Sequence, residues 1–462
     1  MKKTKIVCTI GPASWDKEVL KQMIDNGMNV ARLNGAFIDI PEMTRVAGLI
    51  RELSPDVALM LDIKGHELRL NKFDEDIKVN IGDEVVIGST KEDNIYVATY
   101  IDLFKDIRVG KQILVDKAKT VLEVTKISDG KIYTRVVSGS VIQRGKGLNT
   151  PGTFLNNSPI TDIDIEQINF AKADKWDFVA ASFIRSKDDI KIILPYLKDS
   201  SLKLIAKIED GFGVENIDEI IETCDGIMVA RGDLAVEVPF EKVPLYQKMM
   251  IKKCRDMGKI VITATEMLES MIEKPYPTRA EISDIANAVL DGTDALMLSG
   301  ETTGGKYPHL CVEVMSKISL EMEKSMKPTL RMTSSYAGGE RDAMMGAVYQ
   351  VCVTTKIDKV VMVSERGVTA TALSRHFIKE PIIVLTPSET VRRQLLMCSN
   401  IYPVTYEGRF NDRDNAVHDA IRFGITKNIL DKTDRILFLG KTNAKNGKEN
   451  YIFEVVHVED YA

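Results

Sequence analysis

Two apolar segments, one helix-length apart, each end in charged residues that could do chemistry together. The first ends in Lys207 and Glu209, and the second ends in Arg231, Gly232 and Asp233. If both segments are parallel strands, their carboxyl ends place these side chains on the face where α/β proteins keep catalytic groups. Two carboxylates there suit a hard cation such as Mg²⁺. A lysine beside them suits a phosphoryl oxygen or a developing enolate.

The elements that must position these residues recur in a regular rhythm. Apolar runs of strand length are predicted at residues 5–9, 29–33, 57–62, 178–182, 203–207, 226–230, 260–263 and 295–298. Amphipathic helices follow most of them, for example at residues 17–26, 188–194, 243–257 and 278–290. Eight strand–helix units predict a closed (β/α)₈ TIM barrel, and roughly 250 residues serve it when residues 70–150 are set aside.

Two further units are predicted outside the barrel. Residues 70–150 alternate apolar and polar positions between glycine turns, which predicts an inserted, β-rich antiparallel domain that could act as a lid over the barrel. Strands at 359–364, 381–385, 435–440 and 451–458 predict a C-terminal open α/β sheet. The predicted domains are therefore the barrel at 1–69 and 151–330, the lid at 70–150, and the C-terminal α/β domain at 331–462.

The composition of the chain indicates in which compartment the protein is found and which kinds of partner it does not bind. Its 462 residues are 44% hydrophobic and 28% charged, with a net charge of −5, as expected of a soluble globular protein that nucleic acid and anionic membranes do not attract. No signal peptide and no apolar run of membrane-spanning length is found. The six cysteines are scattered, which indicates reduced core thiols. We expect a cytoplasmic protein.

Polar or charged residues end nearly every predicted barrel strand, which an independent scatter of charges would not produce. They are Arg32, Asn34, Asp62, Lys64, Ser182, Lys207, Glu209, Arg231, Asp233, Thr265, Glu266, Ser299 and Glu301. With this set, the chain closely resembles the pyruvate kinase family. The matching segments, in order, are residues 4–14, 27–34, 146–152, 178–185, 206–209, 225–237, 263–271, 277–281 and 298–302. The resemblance implies the same three-domain plan.

The resemblance also implies roles for single residues. The Mg²⁺ (or Mn²⁺) ligands fall on Glu209 and Asp233, and the lysine that stabilises the enolate falls on Lys207. Arg32 matches the arginine that grips the transferring phosphoryl group. Thr265 matches the threonine in the proton path to the enolate carbon. The backbone N–H groups of residues 231–233 would hold the pyruvate carboxylate, as a helix start can.

For the second substrate and the assembly, the family again supplies the expectation. The implied partners are phosphoenolpyruvate or pyruvate with ADP or ATP, and the implied assembly is a homotetramer. The implied nucleotide-binding residues are Asn34, Arg69 and Lys146. A weak K⁺ site is implied at Asn34, Asp62 and Ile63.

The chain departs from the family on one side of the expected site. Residues 35–38 read Gly-Ala-Phe-Ile where the family has Phe-Ser-His-Gly, so Ala36 and Phe37 lack a hydroxyl and an imidazole. Ile63 and His66 replace Thr and Pro, Lys117 replaces a lid aspartate, and Ala118 replaces a glycine. Two further changes are Ala235 for glycine and Glu266 for glutamine. The enolate side is thus intact, and the nucleotide, K⁺ and lid side is altered.

Several functions and simpler structural roles stay open at this point. The leading function is Mg²⁺-dependent phosphoryl transfer between phosphoenolpyruvate and ADP; the alternatives are a divergent paralogue with another acceptor or 2-oxo acid, and a non-catalytic metabolite-binding regulator. Thr265 could cap a following helix, and Ser299 with Glu301 could form a plain helix start. His66 could be an ordinary exposed loop histidine. Residues 364–369 could bind a sugar phosphate or form an ordinary turn.

Overall fold

Eight parallel strands close into a barrel in this computed structural model, which describes residues 1–331, 339–408, 413–443 and 449–461. Around the barrel the neighbours follow chain order, and the last strand pairs with the first, Lys5 lying beside Ala295. The strands are Lys5–Thr9, Val30–Asn34, Ala58–Ile63, Phe178–Ala181, Lys203–Ile208, Gly226–Ala230, Ile260–Ala264 and Ala295–Leu298. Every one is buried or nearly so, because both faces of a barrel strand are covered. The predicted TIM barrel is confirmed.

Helices pack around the outside of the barrel and bury its outer strand faces. They are Lys17–Asp25, Ile40–Leu53, Asp162–Ala173, Lys187–Leu197, Gly211–Glu215, Ile217–Thr223, Arg231–Glu237, Val243–Met257, Arg279–Asp291, Gly300–Thr303 and Pro308–Glu323. Local sequence sets their ends: Thr278 and Glu281 form a capping box at one start. Gly258 and Gly292 end two helices in the left-handed conformation.

A six-stranded antiparallel sheet is inserted after the third barrel strand, as predicted. In spatial order its strands are Leu68–Arg69, Gly147–Asn149, Gln112–Val115, Thr120–Ser128, Lys131–Ser138 and Glu84–Ile87. A second pair, Ile77–Lys78 with Val141–Ile142, and a short helix, Leu103–Asp106, complete it. The chain enters and leaves through two adjacent strands, Leu68–Arg69 and Gly147–Asn149. We call these two strands the hinge.

The C-terminal part forms a second, open sheet. Its strands, in spatial order, are Ile401–Thr405, Ile382–Thr386, Lys359–Val363, Arg435–Asn443 and Glu449–His457, the last being antiparallel. Helices Gly339–Thr354, Val368–Ser374, Glu389–Leu395 and Arg413–Thr426 accompany it. The strand Ile401–Thr405 was not predicted; it contains Pro403, and it lies at the sheet edge, where a missing N–H is tolerated. The domain boundaries predicted above stay predictions.

A buried carboxylate joins the barrel to the C-terminal sheet. Asp177, just before the fourth barrel strand, is fully buried and accepts hydrogen bonds from the backbone N–H of Leu59 at 2.9 Å and from Arg393 Nε at 2.9 Å. Arg51 NH2 lies 3.2 Å from the same carboxylate. Burial raises the pKa of Asp177 although the two arginines oppose that shift. The charged form of Asp177 is therefore stabilised by its contacts with Arg393, Arg51 and the Leu59 N–H.

We expect Asp177→Ala to destabilise the fold. The substitution leaves two arginines without their buried partner, which costs about 3–5 kcal/mol for comparable pairs. The midpoint of urea-induced unfolding, followed by circular dichroism, measures the loss. Asp25→Ala is the matched control, because its pair with Lys21 is exposed and such pairs contribute less than about 0.5 kcal/mol. Equal midpoints for the two variants would contradict the prediction.

Candidate active site

A buried lysine occupies the carboxyl end of the fifth barrel strand. Lys207 Nζ lies 3.1 Å from Asp62 Oδ1, 3.2 Å from Glu209 Oε1 and 2.7 Å from Ser182 Oγ. Burial opposes the charge, but the carboxylates of Asp62 and Glu209 outweigh it and raise the pKa of Lys207. The ammonium group is therefore charged, held in place by three partners, and able to neutralise negative charge on a substrate.

A second cation lies beside it on the second strand. Arg32 Nε donates to Asp62 Oδ2 at 2.7 Å, and its NH1 donates to Thr9 Oγ1 at 2.7 Å. Burial would raise the pKa of Asp62, but Arg32 and Lys207 outweigh burial and lower it. One buried carboxylate thus orients both cations of the predicted set. Thr9 is a positioning residue that the sequence reasoning missed, since a threonine at a strand end gives no signal of its own.

The predicted metal ligands follow adjacent strands: Glu209 comes directly after the fifth barrel strand, and Asp233 lies on the helix after the sixth. Glu209 is almost fully buried, and its Oε2 accepts the backbone N–H of Phe183 at 2.7 Å. Burial raises the pKa of Glu209, Lys207 opposes this shift, and the nearby charge of Asp233 adds to it. Within the described residues no group of three or more His, Cys, Asp or Glu side chains forms a metal cage. Two carboxylates still fit Mg²⁺, which takes its other ligands from water and substrate.

Arg231 and Gly232 occupy the start of the helix Arg231–Glu237. Both donate hydrogen bonds to Thr265, which follows the neighbouring strand. Arg231 NH2 donates to Thr265 O at 2.7 Å, and its NH1 lies 2.7 Å from Asp284. The Gly232 N–H donates to Thr265 Oγ1 at 2.7 Å, and Thr265 Oγ1 in turn donates to Ala264 O at 2.6 Å. One N–H proposed for the pyruvate carboxylate is therefore already engaged. That role of residues 231–233 remains a prediction.

The backbone at Thr265 is strained. Thr265 and Glu266 have φ values of 68° and 54°, in the left-handed region that non-glycine residues rarely adopt. Such strain clusters where a side chain must be held in a functional position. The simpler role as a helix cap does not hold, because the next element is the 3₁₀ turn Glu269–Ile272, whose cap residue is Leu268.

A cavity of about 540 Å³ gathers these groups. One wall is polar and carries Arg32, Lys207, Glu209, Asp233 and Thr265. Apolar residues make up much of the remaining lining, and those that the sequence analysis did not predict include Ile10, Pro12, Trp15, Phe37, Ile38 and Met297. A site with convergent polar groups and an otherwise largely apolar lining is typical of small-molecule binding.

Of the residues expected to bind the nucleotide and K⁺, most do not line this cavity. Asn34 lines the cavity, while Arg69 bonds Glu67 and Gly145 O in the hinge. Lys146 Nζ lies 3.7 Å from Asp116. In the proposed K⁺ site, the Ile63 carbonyl accepts from Ser182 Oγ at 2.8 Å. The oxygens of Asn34 and Asp62 are likewise engaged, by Ala36 N and by the two cations.

Lys117 lies on a turn between two strands of the inserted sheet, Gln112–Val115 and Thr120–Ser128. Asp116, Lys117 and Ala118 are three consecutive residues with φ between 50° and 64°. Lys117 acts electrostatically on Glu269, at the mouth, where burial is the main influence and raises the pKa of that carboxyl. Lys117 thus brings a positive charge near Glu269, at a position where the family pattern has a negative one.

The simpler roles considered for other residues are resolved by their contacts. Glu301 is fully buried, and its carboxylate accepts the N–H groups of Leu268 and Ser299 at 2.9 and 2.7 Å, so it supports a helix start. Ser299 lines the cavity. Ser364 Oγ accepts the N–H of Gly367 at 3.0 Å, which makes residues 364–367 an ordinary closed turn.

A closed parallel barrel that gathers two cations and hard carboxylates at the carboxyl ends of its strands defines a TIM-barrel enzyme site. The sequence matches the pyruvate kinase barrel domain over residues 1–312 and the pyruvate kinase alpha/beta domain over residues 342–453. This chain therefore belongs to the pyruvate kinase family, a family of phosphotransferases.

Individual relatives agree with the family match. The pyruvate kinase of Geobacillus stearothermophilus is 41% identical over 92% of this chain and 76% of its own length. The pyruvate kinase of Bacillus licheniformis is 38% identical over 97% of this chain and 80% of its own length. A crystal structure of a Cryptosporidium parvum pyruvate kinase aligns with a TM-score of 0.90 at 30% identity, over 99% of this chain and 96% of that one. In the described residues no helix is long and apolar enough to cross a membrane.

Proposed function

We propose that this protein catalyses Mg²⁺-dependent phosphoryl transfer between phosphoenolpyruvate and ADP, giving pyruvate and ATP. The observation that supports it most is the charged, buried Lys207 Nζ, held between Asp62 and Glu209 and facing the same cavity as Arg32. Phosphoryl transfer needs positioning and charge neutralisation more than covalent chemistry. A fixed pair of cations beside two metal-binding carboxylates provides both.

Each residue then has a role in one balanced step. The bond between phosphorus and the enolate oxygen breaks, a bond to an oxygen of the acceptor forms, and the enolate carbon takes up a proton that comes from water. Arg32 orients the phosphoryl group, and Lys207 stabilises the charge left on the enolate oxygen. Thr265 would pass the proton, for which its hydroxyl must give up the hydrogen bond to Ala264 O.

Glu209 and Asp233 are the residues that would hold the divalent ion. When bound, Mg²⁺ supplies Lewis-acid stabilisation of the developing negative charge. The buried side chain of Glu209 is already oriented by the Phe183 N–H, so little rearrangement is needed for it to act as a ligand. A homotetrameric assembly, as implied by the family, accompanies this proposal.

A second candidate is the divergent paralogue, which generates the same enolate but uses another acceptor. Ala36 and Phe37 remove polar groups from the nucleotide side, and Phe37 is 76% exposed at the cavity. The apolar part of the lining, with Trp15 and Ile38, provides few hydrogen-bond partners for a nucleotide. Lys117 adds a positive charge that an anionic acceptor could meet. These features favour an acceptor other than ADP.

If the second candidate is correct, K⁺ should stimulate this protein far less than a standard pyruvate kinase, and ADP should be a poor acceptor. The oxygens of the proposed K⁺ site are engaged and Ala36 supplies no hydroxyl, so a monovalent cation would be bound weakly. Steady-state assays with phosphoenolpyruvate, Mg²⁺ and ADP, with and without K⁺, measure both effects. Ordinary turnover with strong K⁺ activation would show that the substitutions are neutral and would remove the second candidate.

A restored variant sharpens the test. Ala36→Ser combined with Phe37→His and Lys117→Asp returns the family residues at the three altered positions. If these positions limit the use of ADP, the triple variant should show higher turnover with ADP and a larger K⁺ response. Lys126→Asp is the matched control, because Lys126 is exposed and lies on the strand Thr120–Ser128 of the same domain. No gain over the parent protein would mean that other residues set the acceptor.

A further inference from the structure

A second cavity lies behind the candidate active site, between the hinge and the barrel. Its volume is about 390 Å³, within the usual range for small-molecule pockets. Leu68, Leu148 and Asn149 of the hinge form one side of it. Phe183, just after the fourth barrel strand, and Phe212, on the helix Gly211–Glu215, contribute aromatic side chains to the lining. No substrate or cofactor role considered above uses this cavity.

A histidine with one unpaired ring nitrogen lines this second cavity. His66 is only 8% exposed, so the expectation of an exposed loop residue is wrong. Its buried Nδ1 has no hydrogen-bond partner in the described part of the chain, and its ring packs 5.6 Å from the ring of Phe183. Burial and the nearby charge of Arg185 lower its pKa to about 3. A neutral imidazole can accept a hydrogen bond, and leaving a buried polar group unpaired is costly.

The charges around the cavity are mostly negative. Four carboxylates line it: Glu67, which pairs with Arg69, and Asp210, Glu215 and Glu237. The lining contains one guanidinium, that of Arg185, and it already has partners within the protein. Its NH2 lies 3.0 Å from Asp189 Oδ1, and its NH1 donates to Leu155 O. An anionic ligand would therefore find carboxylates and no available partner charge among the lining residues. A cationic one would be attracted.

Glu237 is the best-placed carboxylate for such a cation. It ends the helix Arg231–Glu237, and its Oε1 accepts from Asn149 Nδ2 of the hinge at 2.8 Å. Burial raises the pKa of Glu237 to about 7, although the bond from Asn149 opposes this shift. The carboxyl is thus short of positive partners, and a neighbouring ammonium group would stabilise its charged form.

From this combination we infer that the second cavity binds a small organic cation, with an ammonium or amidinium group and a compact apolar body. The cationic group would donate to Glu237 and His66, and the apolar body would lie against Phe183 and Phe212. The inference does not depend on the proposed reaction. Its site is separate from Lys207 and Arg32, which line the other cavity.

The site would also be coupled to the metal-binding carboxylates. Asp210 lines the second cavity and follows Glu209 directly in the chain. Phe183 lines the second cavity with its ring, while its N–H holds Glu209 Oε2. Two hinge segments contribute to the lining as well, so an occupant contacts both the barrel and the lid connection.

Three probes of one shape test the inference: benzylammonium, benzyl alcohol and benzoate. Saturation-transfer NMR titrations of the full chain, with saturating Mg²⁺ present, give the dissociation constant of each. We expect saturable binding of benzylammonium, at least about tenfold tighter than either other probe. Glu237→Gln and His66→Phe should each weaken it by at least about tenfold, while Phe37→Ala, an exposed change in the lining of the active-site cavity, leaves it unchanged.

Each contrary result overturns the inference. These results are no saturable binding of benzylammonium, equal binding of benzyl alcohol or benzoate, and equal loss in Phe37→Ala, which would place the probe in the active site. Circular dichroism checks that the variants fold. If Glu237→Gln does not fold, Glu215→Gln must weaken binding in its place, and Glu84→Gln, an exposed lid change, must not.

Discussion

Lys207→Met is expected to lower kcat with phosphoenolpyruvate by at least about 100-fold, equivalent to about 2.7 kcal/mol of transition-state stabilisation. The reason is that charge develops on the enolate oxygen during transfer, and Lys207 Nζ is fixed beside the metal-binding carboxylates by Asp62, Ser182 and Glu209. Binding of phosphoenolpyruvate should change less than kcat, because the ground state carries less charge at that oxygen. Steady-state kinetics separate the two.

Lys203→Met is the matched control for this prediction. Lys203 begins the same barrel strand, at the opposite end from the site, so the same substitution there removes a lysine without touching the cavity. Circular dichroism shows whether both variants fold. Near-normal turnover in folded Lys207→Met would remove Lys207 from the mechanism, whereas equal losses in both variants would indicate a general structural effect.

The second large effect concerns the divalent ion. Chelation with EDTA should abolish turnover, and Mg²⁺ or Mn²⁺ should restore it, because Glu209 and Asp233 offer hard oxygen ligands with no histidine or thiolate in the cavity lining. Glu209→Gln and Asp233→Asn should each raise the Mg²⁺ concentration for half-maximal activity by at least about tenfold. Activity as a function of free Mg²⁺ gives this value.

Glu273→Gln serves as the control for the metal variants. Its carboxylate pairs with Lys306 on the protein surface, outside the cavity lining, so its Mg²⁺ dependence should match the parent protein. Turnover that persists after chelation and dialysis would contradict the metal prediction. A lost Mg²⁺ dependence in Glu273→Gln alone would point to a different metal site.

The bounds of elements with a strong hydrophobic pattern were predicted most accurately. The predicted strand at residues 295–298 is observed as Ala295–Leu298, and the helix predicted at 243–257 is observed as Val243–Met257. The helix is long and the strand is fully buried, so the pattern of apolar residues is sufficient to predict the type of each element. The strand Ile401–Thr405 escaped prediction because Pro403 interrupts its pattern, and only pairing with Ile382–Thr386 makes it a strand.

The residue types and their order along the chain were sufficient to predict the barrel and the groups at its mouth. Parallel strands bring their carboxyl ends to one face whatever the details of packing. Side-chain direction was beyond the sequence: Arg231 turns to Thr265 O and Asp284, and His66 is buried in a second cavity. The apolar part of the lining could not be predicted either, because Trp15 and Met297 are far apart in the chain and line one cavity only when the barrel closes. Contacts between distant segments depend on tertiary packing, which local patterns do not encode.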